Sequence, residues 1–229
     1  MSRIAEIRQN ILKKNDLLAA ELRGRFMASG VTVINLVSSP GTGKTALLEA
    51  TLRRLQPRYA VAALVGDLAT DRDAQRLSRA TSRVQQITTG TVCHLDAEMI
   101  GTAINGWQLE ATDFLFIENV GNLVCPASYD VGETFRAVLL SVTEGEDKPL
   151  KYPTIFNSAD LAIVTKIDLA DAVGFNGEEA RRNIHEVAPG LPIFETSAKT
   201  GQGMDAWLLR VEELHRSTAA SVARSDGAR

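Results

Sequence analysis

Three side chains in this sequence offer soft donor atoms in a suggestive pattern. Cys93 is followed directly by His94, and Cys125 is the only other cysteine. Thiolate and neutral imidazole are soft or borderline ligands that hold Zn²⁺ or Ni²⁺ and pass over Mg²⁺ and Ca²⁺. Three donors leave a coordination position for water or a substrate group, or imply a site shared by two chains. A lone cysteine is most often a small buried apolar residue. That reading loses ground here because both cysteines fall beside segments that carry another chemistry. The run Gly41-Thr42-Gly43-Lys44-Thr45-Ala46 ends the phosphate-loop pattern G-x-x-x-x-G-K-[ST]. Its glycines let backbone N–H groups turn toward phosphate oxygens, and the helix that follows adds its N-terminal dipole. Lys44 is placed to reach the β- and γ-phosphates, and the Thr45 hydroxyl to ligate Mg²⁺. Ser38 stands where the first glycine is usual, at a strand end that does not require positive φ.

A second set of residues concerns the base. Thr165-Lys166-Ile167-Asp168 closes an apolar run and resembles N-K-x-D, with Thr for Asn. A carboxylate at Asp168 can accept from guanine N1–H and the 2-amino group together, a donor pair that adenine lacks. Lys166 would lay its stem along the nucleotide. Ser197-Ala198-Lys199 follows the next strand and resembles the S-A-K loop of G proteins, so GTP and GDP are the expected nucleotides. Between the phosphate loop and the base lie Gly66-Asp67 and Glu118-Asn119-Val120-Gly121. Asp67 could hold Mg²⁺ or orient the attacking water, with Asp71 and Asp73 as nearby alternatives; Asp73 reads better as an acid at a helix start. Glu118 to Gly121 looks like D-x-x-G with Glu for Asp, its glycine sensing the γ-phosphate. The expected catalytic set is Lys44, Asp67, Glu118 and Gly121. Asn122 follows where many signalling GTPases carry a water-positioning Gln, which predicts slow turnover.

The elements that must position these residues alternate along the chain. Strands are expected at 31–37, 60–65, 114–117, 161–165 and 192–194, and helices at 44–55, 71–80, 97–105, 177–187 and 204–217. The stretch 134–143 is apolar enough for a further strand that the pattern does not place. This alternation predicts an α/β fold: a mostly parallel sheet with helices on both faces, of the P-loop NTPase, G-protein-like kind. Residues 1–24 form an N-terminal extension. Ile4, Ile7, Ile11, Leu18 and Leu22 make one face of an amphipathic helix, with Arg8, Lys13, Lys14 and Arg23 on its wetter side. Residues 25–217 are expected to form one GTPase domain, and 218–229 a disordered tail. His185 and His215 read as ordinary surface residues, and Lys148 and Lys151 as solvated loop lysines that could otherwise lend charge to a phosphate.

With 229 residues and a formal charge of −3, the chain can bury one sizeable core and lacks the basic surplus of a nucleic-acid binder. No apolar leader and no membrane-length apolar run are visible, and two cysteines make no disulfide framework. A cytoplasmic protein is expected.

Residues 31–215 are similar to the hydrogenase nickel-incorporation GTPases, the HypB family. The likeness rests on Val37-Ser-Ser-Pro-Gly-Thr-Gly-Lys-Thr45, Gly66-Asp67 with Asp71, Thr91-Val-Cys-His-Leu-Asp-Ala97 and Glu118-Asn-Val-Gly-Asn-Leu-Val-Cys-Pro126. The Cys-Pro-His motif of urease-type nickel GTPases is absent. The resemblance implies a GTPase that dimerises when GTP-bound and delivers nickel to the large subunit of [NiFe]-hydrogenase, helped by a nickel-binding accessory protein that could dock on the N-terminal helix. Some members add a tighter N-terminal site of clustered cysteines. This chain begins without cysteine, so its metal capacity is expected to rest on Cys93, His94 and Cys125. Two other classes compete: a P-loop kinase of a small molecule, and a metal sensor or store with a weak nucleotide site.

Overall fold

Strands made almost wholly of Val, Ile, Leu, Ala and Phe can be buried on both faces, which suits the centre of a parallel sheet. The computed structural model describes residues 3–226, without the side chains of residues 3–5, 8 and 223–226. It begins with α1 (Arg3–Ala28) and β1 (Thr32–Ser38), then α2 (Lys44–Leu55), β2 (Val61–Asp67), α3 (Arg72–Leu77), β3 (Val84–Thr88), α4 (Ala97–Ala103) and β4 (Phe114–Glu118). The second half contains β5 (Phe135–Ser141), α5 (Lys148–Lys151), α6 (Pro153–Asn157), β6 (Leu161–Thr165), α7 (Ala170–Val173), α8 (Gly177–Val187), β7 (Ile193–Thr196) and α9 (Met204–Asp226).

The strands form one seven-stranded sheet in the order β3-β2-β4-β1-β5-β6-β7. Every pairing is parallel. All strand C-termini therefore share one edge, and the loops that leave them carry the candidate chemistry. The chain crosses from one side of β1 to the other between β4 and β5, and the crevice beside such a reversal is where open α/β sheets bind ligands. On one face α2, α3 and α9 pack over a core with Leu48, Phe116 and Trp207. On the other, α1 and α4 cover Leu64, Leu115 and Ile117, and α6 and α8 cover Val138 and Ala162. No helix among the described residues is long and apolar enough to cross a membrane.

Several expectations change. The unplaced apolar stretch is β5, a central strand beside β1. The edge strand β3, with Gln85 and Gln86, was not expected. Helix α9 runs to Asp226, so the tail expected to be disordered from residue 218 is helical that far; residues 227–229 lie outside the described residues. The N-terminal helix is amphipathic only in its second half. Leu22 and Phe26 are buried, whereas Ile7 and Ile11 are exposed; the Ile4 and Arg8 side chains are outside the description. Arg23, expected on the wet side, donates from Nη2 to both carboxylate oxygens of Asp130, at 2.6 and 2.7 Å.

His215 is not a surface residue either. Its ring packs on Phe114 and Tyr59, and its Nδ1 lies 3.0 Å from Thr32 Oγ1. Burial lowers its pKa, opposed by Asp113. The unfolded chain takes up this proton near pH 6.5 and the folded chain resists it, so the stabilising contribution is present above about pH 6.5 and is lost as pH falls toward the folded pKa. The melting temperature of the native chain is expected to fall more steeply from about pH 7 to pH 5.5 than that of His215→Gln. Parallel slopes would remove this account.

Candidate functional site

The glycine-rich loop leaves β1 and enters α2 with Gly41 at φ 75° and Gly43 at φ 103°, a left-handed backbone that glycine adopts without strain. Lys44 is 7% exposed and donates to Ser38 Oγ at 2.9 Å. Ser38 thus gives the lysine a resting partner, a use for the residue in place of the usual glycine. Burial lowers the Lys44 pKa, against the pull of Glu118, Asp73 and Glu144. A cavity of about 400 Å³ opens above the loop, lined by Gly41, Gly43, Lys44, Thr45, Ala46, Asp67, Asp73, Arg76, Glu118 and Gly121 among others. Three of the expected catalytic residues, Lys44, Asp67 and Glu118, therefore face the same space as Gly121. A Cβ on Gly121 would stand 2.9 Å from Pro40 Cα, so only glycine lets this segment lie against the loop. Thr42 is buried beneath it.

A second hollow of about 180 Å³ adjoins the first across Gly43 and Ala46. Thr165, Lys166, Asp168, Ser197, Ala198 and Lys199 line it. Lys166, at φ 59°, donates to Gly41 O at 2.6 Å and passes its stem over Gly43. Thr165 Oγ1 donates to Thr42 O at 2.7 Å. The hydroxyl that replaces the usual Asn still ties the base side to the phosphate loop. Asp168 accepts from Ser197 Oγ at 2.6 Å, which fixes one carboxylate oxygen and leaves the other for a ligand.

The acidic residues divide by role. Glu118 is 4% exposed, and burial raises its pKa to about 7, against Lys44 and Thr45. Its Oε1 accepts from Thr45 Oγ1 at 2.7 Å, while its Oε2 is buried without a partner. A divalent cation between Thr45 and Glu118 would satisfy that oxygen and hold the carboxylate ionised, so these residues fit Mg²⁺. Asp67 is raised by burial, yet the N–H groups of Ala69 and Thr70 outweigh this and keep its pKa low. Asp73, read as a helix-start acid, lines the cavity near Lys44. Asp71 precedes α3 and accepts from Gln75 at 2.7 Å. Asn122 donates to Cys93 O at 3.3 Å and accepts from Val124 N, so its amide is committed away from the cavity. Lys148 and Lys151, read as loop lysines, sit on α5, where Lys148 pairs with Glu144 and Lys151 with Asp147.

Cys93 and His94 leave β3, Cys125 leaves β4, and the parallel sheet brings them together. Ligand atoms of the three lie within 4.8 Å of one another, with Cys93 Sγ 2.7 Å from Cys125 Sγ. The His94 ring stacks on Tyr129 at 3.7 Å. Burial lowers its pKa, against Asp96, which keeps the imidazole neutral, and Nδ1 is buried without a hydrogen-bond partner. Two thiols beside an imidazole that keeps an unpartnered nitrogen are the donor set of a soft-metal site.

Sequence reasoning missed the residues that join these sites. Leu95, fully buried, donates its N–H to Asn119 Oδ1 at 3.1 Å. Its side chain fills the space over Gly66, where a Cβ would stand 2.8 Å away. Asn119 Nδ2 reaches toward Asn35, which donates to Glu133, itself paired with the buried Arg136. Glu144 accepts from the hydroxyls of Ser39 and Thr42 and from Ser141 N, bracing the phosphate loop from below. These polar residues meet across long separations, and no local spacing announces them.

Residues 32–195 match the family described as CobW/HypB/UreG, nucleotide-binding domain. The chain is 47% identical over 223 residues to hydrogenase maturation factor HypB of Rhizobium leguminosarum bv. viciae, covering 96% of this chain and 75% of that protein. It is 50% identical over 198 residues to the hydrogenase/urease maturation factor HypB of Helicobacter hepaticus, covering 85% and 81%. The crystal structure of HypB from Helicobacter pylori in complex with nickel superposes with a TM-score of 0.84 at 42% identity, over 90% of this chain and 97% of that one. At this identity and coverage, the chain belongs to the HypB family of hydrogenase maturation factors.

Proposed function

We propose that this protein hydrolyses GTP and uses the nucleotide state to control a nickel site, as a cytoplasmic metallochaperone for the large subunit of [NiFe]-hydrogenase. The observation that carries the coupling is the position of Leu95. It is two residues from Cys93 and is gripped by both segments that line the phosphate cavity, through Gly66 and Asn119. Asn122 adds a second link, to Cys93 O. A γ-phosphate that moves either segment must move the backbone that aims Cys93 and His94.

On this reading Gly41, Thr42, Gly43, Lys44, Thr45 and Ala46 hold the phosphates, and Lys166, Asp168, Ser197, Ala198 and Lys199 hold the base. Lys44 leaves Ser38 for the β- and γ-phosphate oxygens, whose negative charge opposes the burial that lowers its pKa. Thr45, Glu118 and Asp67 would hold Mg²⁺, whose charge offsets that of the phosphates when bound. Gly121 gives its N–H to the γ-phosphate. With Asn122 committed elsewhere, the attacking water has weak positioning and turnover is slow. Cys93, His94 and Cys125 take Ni²⁺ as cargo, or Zn²⁺ in its absence. A further ligand comes from water or from a second copy in a GTP-bound homodimer, and an accessory nickel-binding protein supplies the ion.

Coupling requires different metal affinities in the two nucleotide states. The Ni²⁺ dissociation constant, measured with GDP and then with a non-hydrolysable GTP analogue, is expected to differ by about 5-fold or more. Asn119→Ala is expected to shrink that difference toward unity while both nucleotides still bind. Equal constants in the native chain would confine the nucleotide to control of partners or dimerisation.

A further inference from the structure

Negative groups crowd the phosphate cavity. Asp67, Asp73 and Glu118 line it, and a triphosphate would add several charges more. Among the described residues lining it, the cations are Lys44 and Arg76. Lys44 is anchored at the start of α2 and serves the floor of the loop. Arg76, on α3, reaches the cavity from the helix packed beside α2.

Arg76 is close enough to Glu118 for its charge to act on that carboxyl. It also borders a hollow over Ala46 shared with Ala198 and Lys199, so it stands between the phosphate and nucleoside ends. Its Nε donates to Glu49 Oε2 at 2.6 Å. Neither Nη group has a hydrogen-bond partner among the described residues. Glu49 is held a second time, by Arg53 at 2.6 Å, so it keeps a cation when Arg76 departs. The pair is half open to solvent, with the Arg76 side chain 46% exposed, and such pairs hold weakly. A flexible arginine with an unused planar fork, resting on a partner that can spare it, is built to move.

Resting on the reading of this chain as a GTPase, we infer that Arg76 is a catalytic residue supplied from within the same chain. It leaves Glu49 when GTP binds and places its Nη groups on the phosphate oxygens that gain charge as the γ-phosphoryl group transfers to water. The bond between the γ-phosphorus and the β–γ bridging oxygen breaks, a bond from the phosphorus to water oxygen forms, and the water's proton passes to the released phosphate. Arg76 neither gains nor loses a proton. It stabilises charge that is larger in the transition state than in bound GTP.

The test compares single-turnover GTP hydrolysis and GDP affinity in the native chain, Arg76→Ala, Arg76→Lys and Glu49→Gln. Arg76→Ala is expected to slow hydrolysis on the order of 100-fold with GDP affinity changed less than about 3-fold. It should also fail to form a complex of GDP with aluminium fluoride, a mimic of the transferring phosphoryl group, that the native chain forms. Arg76→Lys should recover no more than about 10-fold, because an ammonium lacks the fork. Glu49→Gln, which loosens the resting contact, should hydrolyse at least as fast as the native chain. Native-like hydrolysis by Arg76→Ala, or a rate loss matched by lost GDP affinity, would overturn this role and leave the GTPase reading intact. A native chain that releases no phosphate from GTP would overturn both.

Discussion

Gly203→Ala is expected to lower stability by about 4 kcal/mol and to weaken GDP binding at the same time. Gly203 has φ +72°, and a Cβ there would stand 1.8 Å from the Glu195 carbonyl oxygen. That oxygen belongs to β7, which cannot retreat without breaking its pairing with β6. A control separates clash from conformation. Gly190 has φ +77° but nothing within 4 Å of its added Cβ, so Gly190→Ala should cost only the left-handed strain of about 1 kcal/mol. For a domain of this size those losses correspond to roughly 8–16 °C and 2–4 °C in melting temperature. The nucleotide effect follows from the loop that Gly203 closes. Gln202 O accepts from Ser197 N at 2.9 Å, and Ser197 in turn holds Asp168. Moving Gly203 shifts both walls of the base hollow, and GDP affinity should fall by about 10-fold. A Gly203→Ala melting point within about 2 °C of the native value would show that the loop relaxes at no cost.

The parts legible in the sequence were those encoded locally. The run from Val33 to Leu55 names a strand, a tight turn and a helix by composition alone, and β1 and α2 follow it closely. Parallel pairing then did what no local pattern states, by placing every strand end on one edge. Cys93 and Cys125, 32 positions apart, could be read as one site because both fall beside segments of the nucleotide chemistry and Cys93 has His94 next to it. What escaped depended on partners. Strand β3 is an edge strand whose two glutamines blur the apolar signal, and β5 declares itself central only once β1 and β6 flank it. Glu133 and Arg136 look like surface charges, yet both are buried as a pair with Asn35. The apolar stripe runs from Ile4 to Leu22 in the sequence, but Ile7 and Ile11 are exposed. Periodicity reports which face a helix could bury, not whether anything is there to cover it.

The pairing of Thr165 with Thr42 and of Lys44 with Ser38 changes the weight of the departures from G-protein consensus. Each substituted side chain makes a bond that supports the phosphate loop. Glu118, longer than Asp by one methylene, reaches Thr45 directly. These are compensated replacements within a formed nucleotide cavity, which argues against a vestigial one.

Cys125→Ala and Cys93→Ala are each expected to weaken Ni²⁺ binding by about 100-fold or more. Changes in groups that merely orient a metal ligand typically cost 10–100-fold, and a methyl group in place of a thiolate removes a bond to the ion itself. The two losses should not add in the double variant, because one remaining thiol with His94 no longer makes a soft-metal site. Binding to the native chain should displace protons from the thiols and therefore weaken as pH falls. Tyr129→Phe keeps the ring stacked on His94 and should bind nickel as the native chain does. Nickel–thiolate absorbance during titration reads the sulfur bonds directly. Neither cysteine lines the two nucleotide hollows, so GDP affinity in both variants should stay within about 2-fold of native. Native-like nickel affinity in Cys125→Ala would remove the three-residue site. A joint loss of GDP and nickel would instead mean that the thiols support the fold of the segments that meet at Leu95 and Asn119.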